Sequence, residues 1–265
     1  LIGLVGSEMC IRDRFDRQGS RISLTEAGKL LLEHCERILE DYKRLEYEMH
    51  LLHNEYTGGL KLGASTTVAQ YVLPPLLASF IGKFPHVNLS LLNGNSREIE
   101  AALQEHRIDL GFVEGVFRLP NIKYTTFLKD ELVAVVRTGS KLAIGEEITP
   151  EELLHLPLVL RERGSGTLDV FERALQQHNI KLSSLQVLMY LGSTESIKLF
   201  LEHTDCLGIV SIRSITRELY SGQLRVVEIK DMPMLRDFSF AQPQGQESGL
   251  AQVFMQFAMH YNNKL

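Results

Sequence analysis

From Gly59 onward the sequence alternates between short apolar strands and helical stretches, and this alternation occurs twice. The first set comprises strands at 60–64, 87–92 and 109–113, with helices near 67–82 and 96–106. The second set comprises strands at 157–161, 186–191 and 207–211, with helices near 167–178 and 194–203. Strands that alternate with helices in this way predict a mostly parallel α/β sheet.

Two segments of these sets are also similar to each other. GNSREIEAALQEHRIDLGFV (94–113) aligns with GSTESIKLFLEHTDCLGIV (192–210). The alignment pairs like residues: Gly94 with Gly192, Ser96 with Thr194, Ile99 with Ile197 and Leu103 with Leu201. Chance recurrence of strand and helix order is the alternative, but the matching strand spacing favours two related lobes.

One long helix is predicted ahead of the lobes, from Thr25 to Tyr56. Thr25 is suited to the N-cap position, and Glu26 favours the first turn. Apolar side chains recur at spacings of four and three, which forms a heptad seam. The seam consists of Leu31, Cys35, Ile38, Tyr42, Leu45, Met49, Leu52 and Tyr56. Such a helix is about 48 Å long, which is too long to be covered by one small domain. We therefore predict a dimerisation helix, and packing of the helix on its own chain is the alternative.

The segment before this helix reads as a small hairpin. Residues 15–24 place a polar turn between two short strands, which carry Arg17 and Arg21. These arginines are weak candidates for DNA contact, and an exposed turn with solvated charges is the alternative. Residues 1–14 show no helical or alternating period, so we expect a leader foreign to the rest of the chain; a disordered tail is the alternative.

Composition excludes several classes of protein. Hydrophobic residues make up 44% and charged residues 23% of the 265 residues, as expected for a folded globular chain. The net charge of −5 means that any nucleic-acid contact has to come from a local patch. The cysteines, Cys10, Cys35 and Cys206, lack zinc or disulfide spacing, which favours a reducing cytosol. Neither a membrane span nor an export signal is expected.

Hydroxyl and amide side chains follow the carboxyl ends of the predicted strands. In open α/β sheets, ligands bind at these ends, where helix N-termini offer N–H groups and a positive dipole. Facing lobes would bring such groups into one cleft suited to a small anion, although ordinary N-capping explains each residue singly. The candidate effector contacts are Ser65, Thr66, Thr67, Asn95, Ser96, Ser165, Gly166, Thr167, Ser193 and Thr194.

Arginines near the Gly-Ser-Gly loop at 164–166 add a candidate cationic contact. Arg163 is the predicted effector contact, and Arg161 is a second candidate. For both residues, a solvated position in the loop is the alternative. No nucleotide-binding glycine motif, H-E-x-x-H spacing or G-x-S-x-G elbow occurs in the sequence. We therefore expect no enzyme activity, no cofactor and no metal site.

Several motifs resemble the LysR-type transcriptional regulators over nearly all of 15–265. FDRQGSRISLTEAGKLLL resembles the wing and the start of the linker helix of their winged helix-turn-helix. Further similar stretches are DLGFVEG (109–115), RERGSGT (161–167) and LGSTESIK (191–198). The resemblance implies a cytoplasmic bacterial regulator with an effector domain of two parallel-type α/β lobes, similar to type 2 periplasmic binding proteins.

The resemblance also implies a domain plan and partners. The expected order is a leader (1–14), a remnant wing (15–24), a linker helix (25–57) and an effector-binding domain (59–265). Lobe I would take 59–128 and 231–265, and lobe II would take 129–230. The implied partners are promoter DNA for the intact gene product, a small anionic effector and copies of the chain in a homodimer or homotetramer, with RNA polymerase as a further candidate. A solute-binding protein of a transport system is the alternative function.

When the family's motifs are matched residue by residue, the resemblance implies that the effector cleft is lined by the hydroxyl and amide positions described above. The stretches VEG and GSGT are similar to the corresponding stretches in regulators of sulfur assimilation and carbon fixation. This similarity implies a small oxyanion or organic acid as effector. Leu168 departs from the pattern, because close relatives often place arginine there.

We predict that this chain has little or no specific affinity for promoter DNA. The family carries about 45 residues before the wing, including the recognition helix that enters the major groove. Here the unrelated leader stands in their place, and residues 1–57 hold eight basic and eleven acidic residues, a net charge of −3. Titration of operator DNA at fixed salt checks this, and nanomolar specific binding would show the prediction wrong.

Overall fold

The computed structural model describes residues 14–18, 21–53, 56–115, 118–142, 145–245 and 249–262. The chain divides into two compact units, Leu1–Glu55 and Tyr56–Leu265. Apart from Arg14, the predicted leader lies outside the described residues. The second unit begins close to the predicted start of the effector domain at residue 59.

The first unit contains the predicted hairpin and helix. Strands β1 (Phe15–Gln18) and β2 (Arg21–Leu24) pair antiparallel, and helix α1 (Glu26–His53) follows. Thr25 caps the helix, because its Oγ1 accepts a hydrogen bond from Gly28 N at 3.0 Å. The side chains of Arg17 and Arg21 lie outside the described residues.

The heptad seam is exposed wherever α1 is described. Leu31, Cys35, Ile38, Tyr42, Leu45 and Met49 are all exposed, and the side chain of Leu52 lies outside the described residues. The prediction that the helical seam includes Tyr56 is wrong, because α1 ends at His53 and Tyr56 lies beyond the helix. Its ring packs edge-on against Phe84, with centroids 5.5 Å apart, in the second unit.

Lobe I begins the second unit and follows the predicted strand and helix order. Its first elements are β3 (Gly58–Ser65), α2 (Thr66–Tyr71), α3 (Leu73–Lys83), β4 (Val87–Gly94), α4 (Ser96–Gln104) and β5 (Leu110–Glu114). β3 lies between β4 and β5, and all three run parallel. The predicted helix at 67–82 is two helices, because prolines occupy the first turn of α3, where a proline starts a helix but cannot continue one.

A long strand, β6 (Ile122–Arg137), leads from lobe I into lobe II. Lobe II contains β7 (Glu147–Ile148), β8 (Pro157–Arg161), α5 (Gly166–Gln177), β9 (Gln186–Leu191), α6 (Thr194–His203), β10 (Leu207–Ser211), α7 (Thr216–Tyr220) and β11 (Leu224–Ile229). A second long strand, β12 (Met234–Pro243), returns to lobe I, where helix α8 (Gly249–Asn262) follows.

The two long strands join the lobes into one sheet. β6 and β12 pair antiparallel from Met234 opposite Leu132 to Pro243 opposite Ile122. β5 adds to β12 on the lobe I side, and β10 adds to β6 on the lobe II side, both antiparallel. The parallel sheets of the lobes are thus connected through antiparallel crossover strands, and the predicted lobe boundary at 128/129 falls inside β6.

Each lobe buries its own apolar core. In lobe I, Phe80 packs between Phe84, Phe254 and Phe257, with ring centroids 4.6 to 5.2 Å apart. In lobe II, alternate residues of β6, β8 and β10 enter two separate apolar clusters. Successive strand residues point to opposite faces, so the lobe II sheet has a core on each face. Burial on both faces explains the nearly continuous apolar runs of these strands.

Two glycines allow the lobes to approach each other closely. A Cβ atom at Gly166, the first residue of α5, would lie 2.2 Å from the carbonyl oxygen of Glu114 at the end of β5. Gly115 has a φ of +115°, which favours glycine, and its Cβ position lies 3.1 Å from the Cα of Gly166. The backbones of the two lobes therefore meet at a point with no room for a side chain.

We predict that Gly166→Ala destabilises the chain by about 1–3 kcal/mol, the usual cost of forcing an extra methyl group into a packed site. Gly192→Ala is the matched control, because nothing lies within 4 Å of its Cβ position. Urea denaturation of both variants measures the difference. Equal midpoints for the two variants would refute the close contact.

Candidate functional site

The carboxylate of Glu114 lies between hydroxyl groups from both lobes. Thr67 of α2 donates to Glu114 Oε1 at 3.3 Å, and Thr167 of α5 donates to the same oxygen at 3.4 Å. All three residues are buried. Two of the predicted effector contacts, one from each lobe, therefore already hold a carboxylate.

A buried guanidinium completes this arrangement. Arg236 Nη2 lies 3.2 Å from Glu114 Oε2, and Arg236 Nη1 donates to Thr167 Oγ1 at 3.0 Å. We call Thr67, Thr167 and Arg236 the Glu114 cradle. Two hydroxyls and one guanidinium are the partners that a small oxyanion requires.

Arg236 is fixed by a second carboxylate on its other side. Its Nε and Nη2 both lie 2.7 Å from Asp130 Oδ2, and Ser211 donates to Asp130 Oδ1 at 2.7 Å. Arg236 lies on β12 and Asp130 lies on β6, so the pair links the two crossover strands. The cradle is thus anchored at the joint between the lobes.

A second buried arginine, Arg161, ends strand β8 and reaches across to lobe I. Its Nη2 donates to Thr66 Oγ1 at 3.4 Å and to the carbonyl oxygen of Gly192 at 3.3 Å. The residue is only 1% exposed, whereas Arg163, the predicted effector contact, is exposed. The arginine that faces the predicted site is therefore Arg161.

Four further predicted contacts divide into two groups. Ser96 donates to the carbonyl oxygen of Glu114 at 2.8 Å, so it supports the cradle from behind. Asn95, Ser165 and Ser193 are the N-caps of α4, α5 and α6, and each side chain accepts a backbone N–H of its helix. Ordinary capping, the alternative considered for each of these residues, accounts for their oxygens.

A cavity of about 280 Å³ lies beside the cradle, lined in part by Ser96, Glu100, Glu114 and Asp169. Burial raises the pKa of Glu100 above its usual value, and a hydrogen bond from Tyr124 partly offsets this. Burial likewise raises the pKa of Asp169. Three acidic groups and one arginine, Arg97, line this cavity, so it suits an anion less well than the Glu114 cradle does.

A further polar cluster connects α2 with α6 and α7. The hydroxyl of Tyr71 donates to Glu195 Oε1, and Lys198 Nζ lies 2.8 Å from the same oxygen and 2.7 Å from Glu218 Oε1. Burial and then Glu195 raise the pKa of Tyr71 well above its usual value. The phenol therefore stays protonated and acts as a hydrogen-bond donor between the lobes.

Comparison with known proteins shows to which family the chain belongs. The LysR substrate binding domain matches residues 53–262. The chain belongs to the LysR family. It is 34% identical over 215 residues to the HTH-type transcriptional regulator YeiE of Escherichia coli strain K12, which covers 81% of this chain and 71% of YeiE.

Solved structures of the family share the fold. The regulatory domain of CcmR from Synechocystis PCC6803, in complex with 2-PG, has a TM-score of 0.71 and 27% identity, covering 79% of this chain and 99% of that domain. The effector-binding domain of QuiR, in complex with shikimate, has a TM-score of 0.69 at 20% identity, covering 79% of this chain and 99% of that domain. The predicted two-lobed effector domain and the assignment to a transcriptional regulator are thereby confirmed, and the transport alternative has no support.

Two further observations concern the described residues of this LysR-family chain. None of the helices described is long and apolar enough to cross a membrane. No group of three or more His, Cys, Asp or Glu side chains in the described ranges is placed to hold a metal ion.

Sequence analysis missed Glu114, Asp130 and Arg236, and it considered Arg161 but selected Arg163. Glu114 and Arg161 are the last residues of buried strands, and Arg236 and Asp130 lie within the crossover strands. A charged residue at the end of an apolar run is a usable signal, since β5 and β8 both show it. No local pattern reveals that Arg236 meets Asp130, because the two are 106 residues apart in the chain.

We predict that Arg236→Leu destabilises the chain by about 3–5 kcal/mol, because it leaves two buried carboxylates without their cation. Arg213→Ala is the control: Arg213 Nε lies 3.7 Å from Asp130 Oδ1, but its side chain is 42% exposed. An exposed pair of this kind contributes at most about 1 kcal/mol. Chemical denaturation checks both values, and an Arg236→Leu variant as stable as Arg213→Ala would contradict the network.

Proposed function

We propose that this LysR-family regulator senses a small anion that binds in the Glu114 cradle between the lobes. The observation that carries the proposal is the environment of the Glu114 carboxylate. Two hydroxyls from different lobes and a buried guanidinium already hold this negatively charged group. Groups arranged to hold a carboxylate present the same partners to a sulfate, phosphate or carboxylate ligand.

In this proposal the effector competes with Glu114 for the cradle. Thr67 belongs to lobe I, Thr167 to lobe II and Arg236 to a crossover strand, so any group in the cradle contacts all three parts of the domain. An external anion that displaces Glu114 changes the contacts between the lobes and hence their relative setting. A ligand that interacts differently with two settings shifts their populations.

The proposed site differs from the predicted one in its arginines, since Arg236 is added, and in three residues that cap helices. It retains the hydroxyl and glycine positions that are buried between the lobes, and it takes Arg161 in place of Arg163. We propose as effector contacts Ser65, Thr66, Thr67, Ser96, Gly166, Thr167, Thr194, Arg161 and Arg236. Asn95, Ser165 and Ser193 serve as helix caps that hold these groups in position. The complex of the CcmR domain with 2-PG supports a small-molecule effector for this fold.

The wider function follows from the family and from the exposed seam of α1. We propose that the intact gene product binds promoter DNA as a homodimer or homotetramer in the cytoplasm, with α1 as a dimerisation helix, and that it catalyses no reaction. The apolar seam supports dimerisation because six of its members are exposed in the described part of the helix. Activation or repression then depends on how the effector changes the oligomer.

We predict that Glu114→Gln binds sulfate at least about tenfold more tightly than the wild-type chain does. The substitution keeps the shape of the side chain but removes the charge that competes with the incoming anion. Isothermal titration calorimetry measures the dissociation constants. A sulfate-induced rise in melting temperature provides a second readout, because a ligand that binds only the folded state stabilises it.

Two threonine variants complete this experiment. Thr167→Val should weaken sulfate binding, since a cradle hydroxyl is lost, whereas Thr138→Val should not, because Thr138 is exposed in a turn. The proposal fails if neither the wild-type chain nor Glu114→Gln binds sulfate, phosphate or small carboxylates. It fails equally if Thr167→Val and Thr138→Val bind sulfate alike.

A further inference from the structure

Arg161 has an unused hydrogen-bonding edge in a buried position. Its side chain is among the largest that are fully buried, yet Nη1 has no hydrogen-bond partner among the residues that the structure describes. The same holds for the buried hydroxyl of Ser65, which directly precedes Thr66. Buried polar atoms without partners are rare and costly, so two of them near one turn call for an explanation.

The rest of the Arg161 guanidinium is firmly held. Glu162 accepts from Nε at 2.8 Å and from Nη2 at 3.0 Å, so its carboxylate occupies one edge of the fork. Nη2 also contacts Thr66 Oγ1 and the carbonyl oxygen of Gly192. An arginine fixed along one edge by a carboxylate presents its remaining N–H groups in a set direction.

Arg236 offers a comparison, because it forms ion pairs with two carboxylates, although its Nη2 makes no hydrogen bond to the described residues. Asp130 occupies the Nε and Nη2 edge of Arg236, Thr167 accepts from Nη1, and the Glu114 carboxylate lies against Nη2. Arg161 has a carboxylate on the equivalent edge and a threonine hydroxyl beside it. Among the described residues, Arg161 pairs with one carboxylate, whereas Arg236 pairs with two.

The two arginines lie on either side of the start of α2. Thr66 contacts Arg161, and the next residue, Thr67, belongs to the Glu114 cradle. Thr66 and Thr67 are adjacent in the chain, so the two arginines are linked through neighbouring residues of one turn. Ser65 directly precedes Thr66, and its buried hydroxyl bonds to no described residue.

We propose that Arg161, with Ser65, forms a second anion-binding position of the same cleft, so that the effector is a small compound with two acidic groups on a short carbon chain. This inference rests on the proposed function, because the first acidic group is the one that takes the Glu114 cradle. The Arg161 position then determines specificity: it separates compounds with two acidic groups from simple oxyanions.

The test compares two phosphonates that differ by one acidic group. Methylphosphonate carries the phosphonate alone, and phosphonoacetate adds a carboxylate one carbon away. Calorimetric titration of the full chain should show phosphonoacetate binding at least about tenfold more tightly, since a charge-assisted hydrogen bond in a buried site contributes about that much. Arg161→Gln should remove this preference, because the second acidic group then has no guanidinium to bind.

Arg163→Gln is the matched control, because it removes the same charge two residues away from an exposed position. It should retain the preference for phosphonoacetate; equal losses in both variants would reduce the effect to net charge and overturn the proposal. Ser65→Ala tests the site if Arg161→Gln fails to fold, since it removes a hydroxyl that bonds to no described residue, and it should lower the preference by a smaller factor.

The outcomes separate the two proposals. If methylphosphonate and sulfate bind but phosphonoacetate binds no better, only the second anion-binding position is refuted. If Arg161→Gln or, in its place, Ser65→Ala keeps the full preference, the assignment of that position is refuted. If none of these anions binds to the wild-type chain or to Glu114→Gln, the proposed function fails together with this inference.

Discussion

A single buried guanidinium, that of Arg236, connects three parts of the effector domain that are far apart in sequence. It pairs with Asp130 on the other crossover strand and with Glu114 at the end of a lobe I strand. Charges removed from water are costly unless each is paired at close range. The lobes therefore have to adopt a relative setting in which these groups meet. This requirement makes the joint between the lobes sensitive to any group that replaces one of the partners.

The surrounding structure supports the same conclusion from packing rather than charge. Gly115 and Gly166 let the backbones of the two lobes meet without side chains between them. The hydroxyls of Thr67 and Thr167 then reach one carboxylate from opposite sides. Close backbone contact and buried pairing act together, so a ligand between the lobes has to change both. We propose a small anion as this ligand, because its polar contacts are already in place.

Regular elements with a strong local pattern could be predicted. The lobe II strands at 157–161, 186–191 and 207–211 occur where the apolar runs place them. For 157–161 and 207–211 the reason is burial on both faces, which requires almost entirely apolar residues. The crossover strand Ile122–Arg137 was not predicted, since its buried and exposed positions follow no clean alternation. The helix predicted to reach Tyr56 ends at His53, and the ring of Tyr56 packs against Phe84.

The amino-acid order by itself determined the two-lobed architecture, the capped helix with its apolar seam and the set of hydroxyls at the strand ends. Each of these follows from periodicity or from capping preferences within a few residues. Only the tertiary structure decided which charged groups face those hydroxyls: Arg161 rather than Arg163, and Glu114 with Arg236. These choices depend on pairings between residues about a hundred positions apart, and the free energy of a buried charge is set by the partners that the fold brings to it.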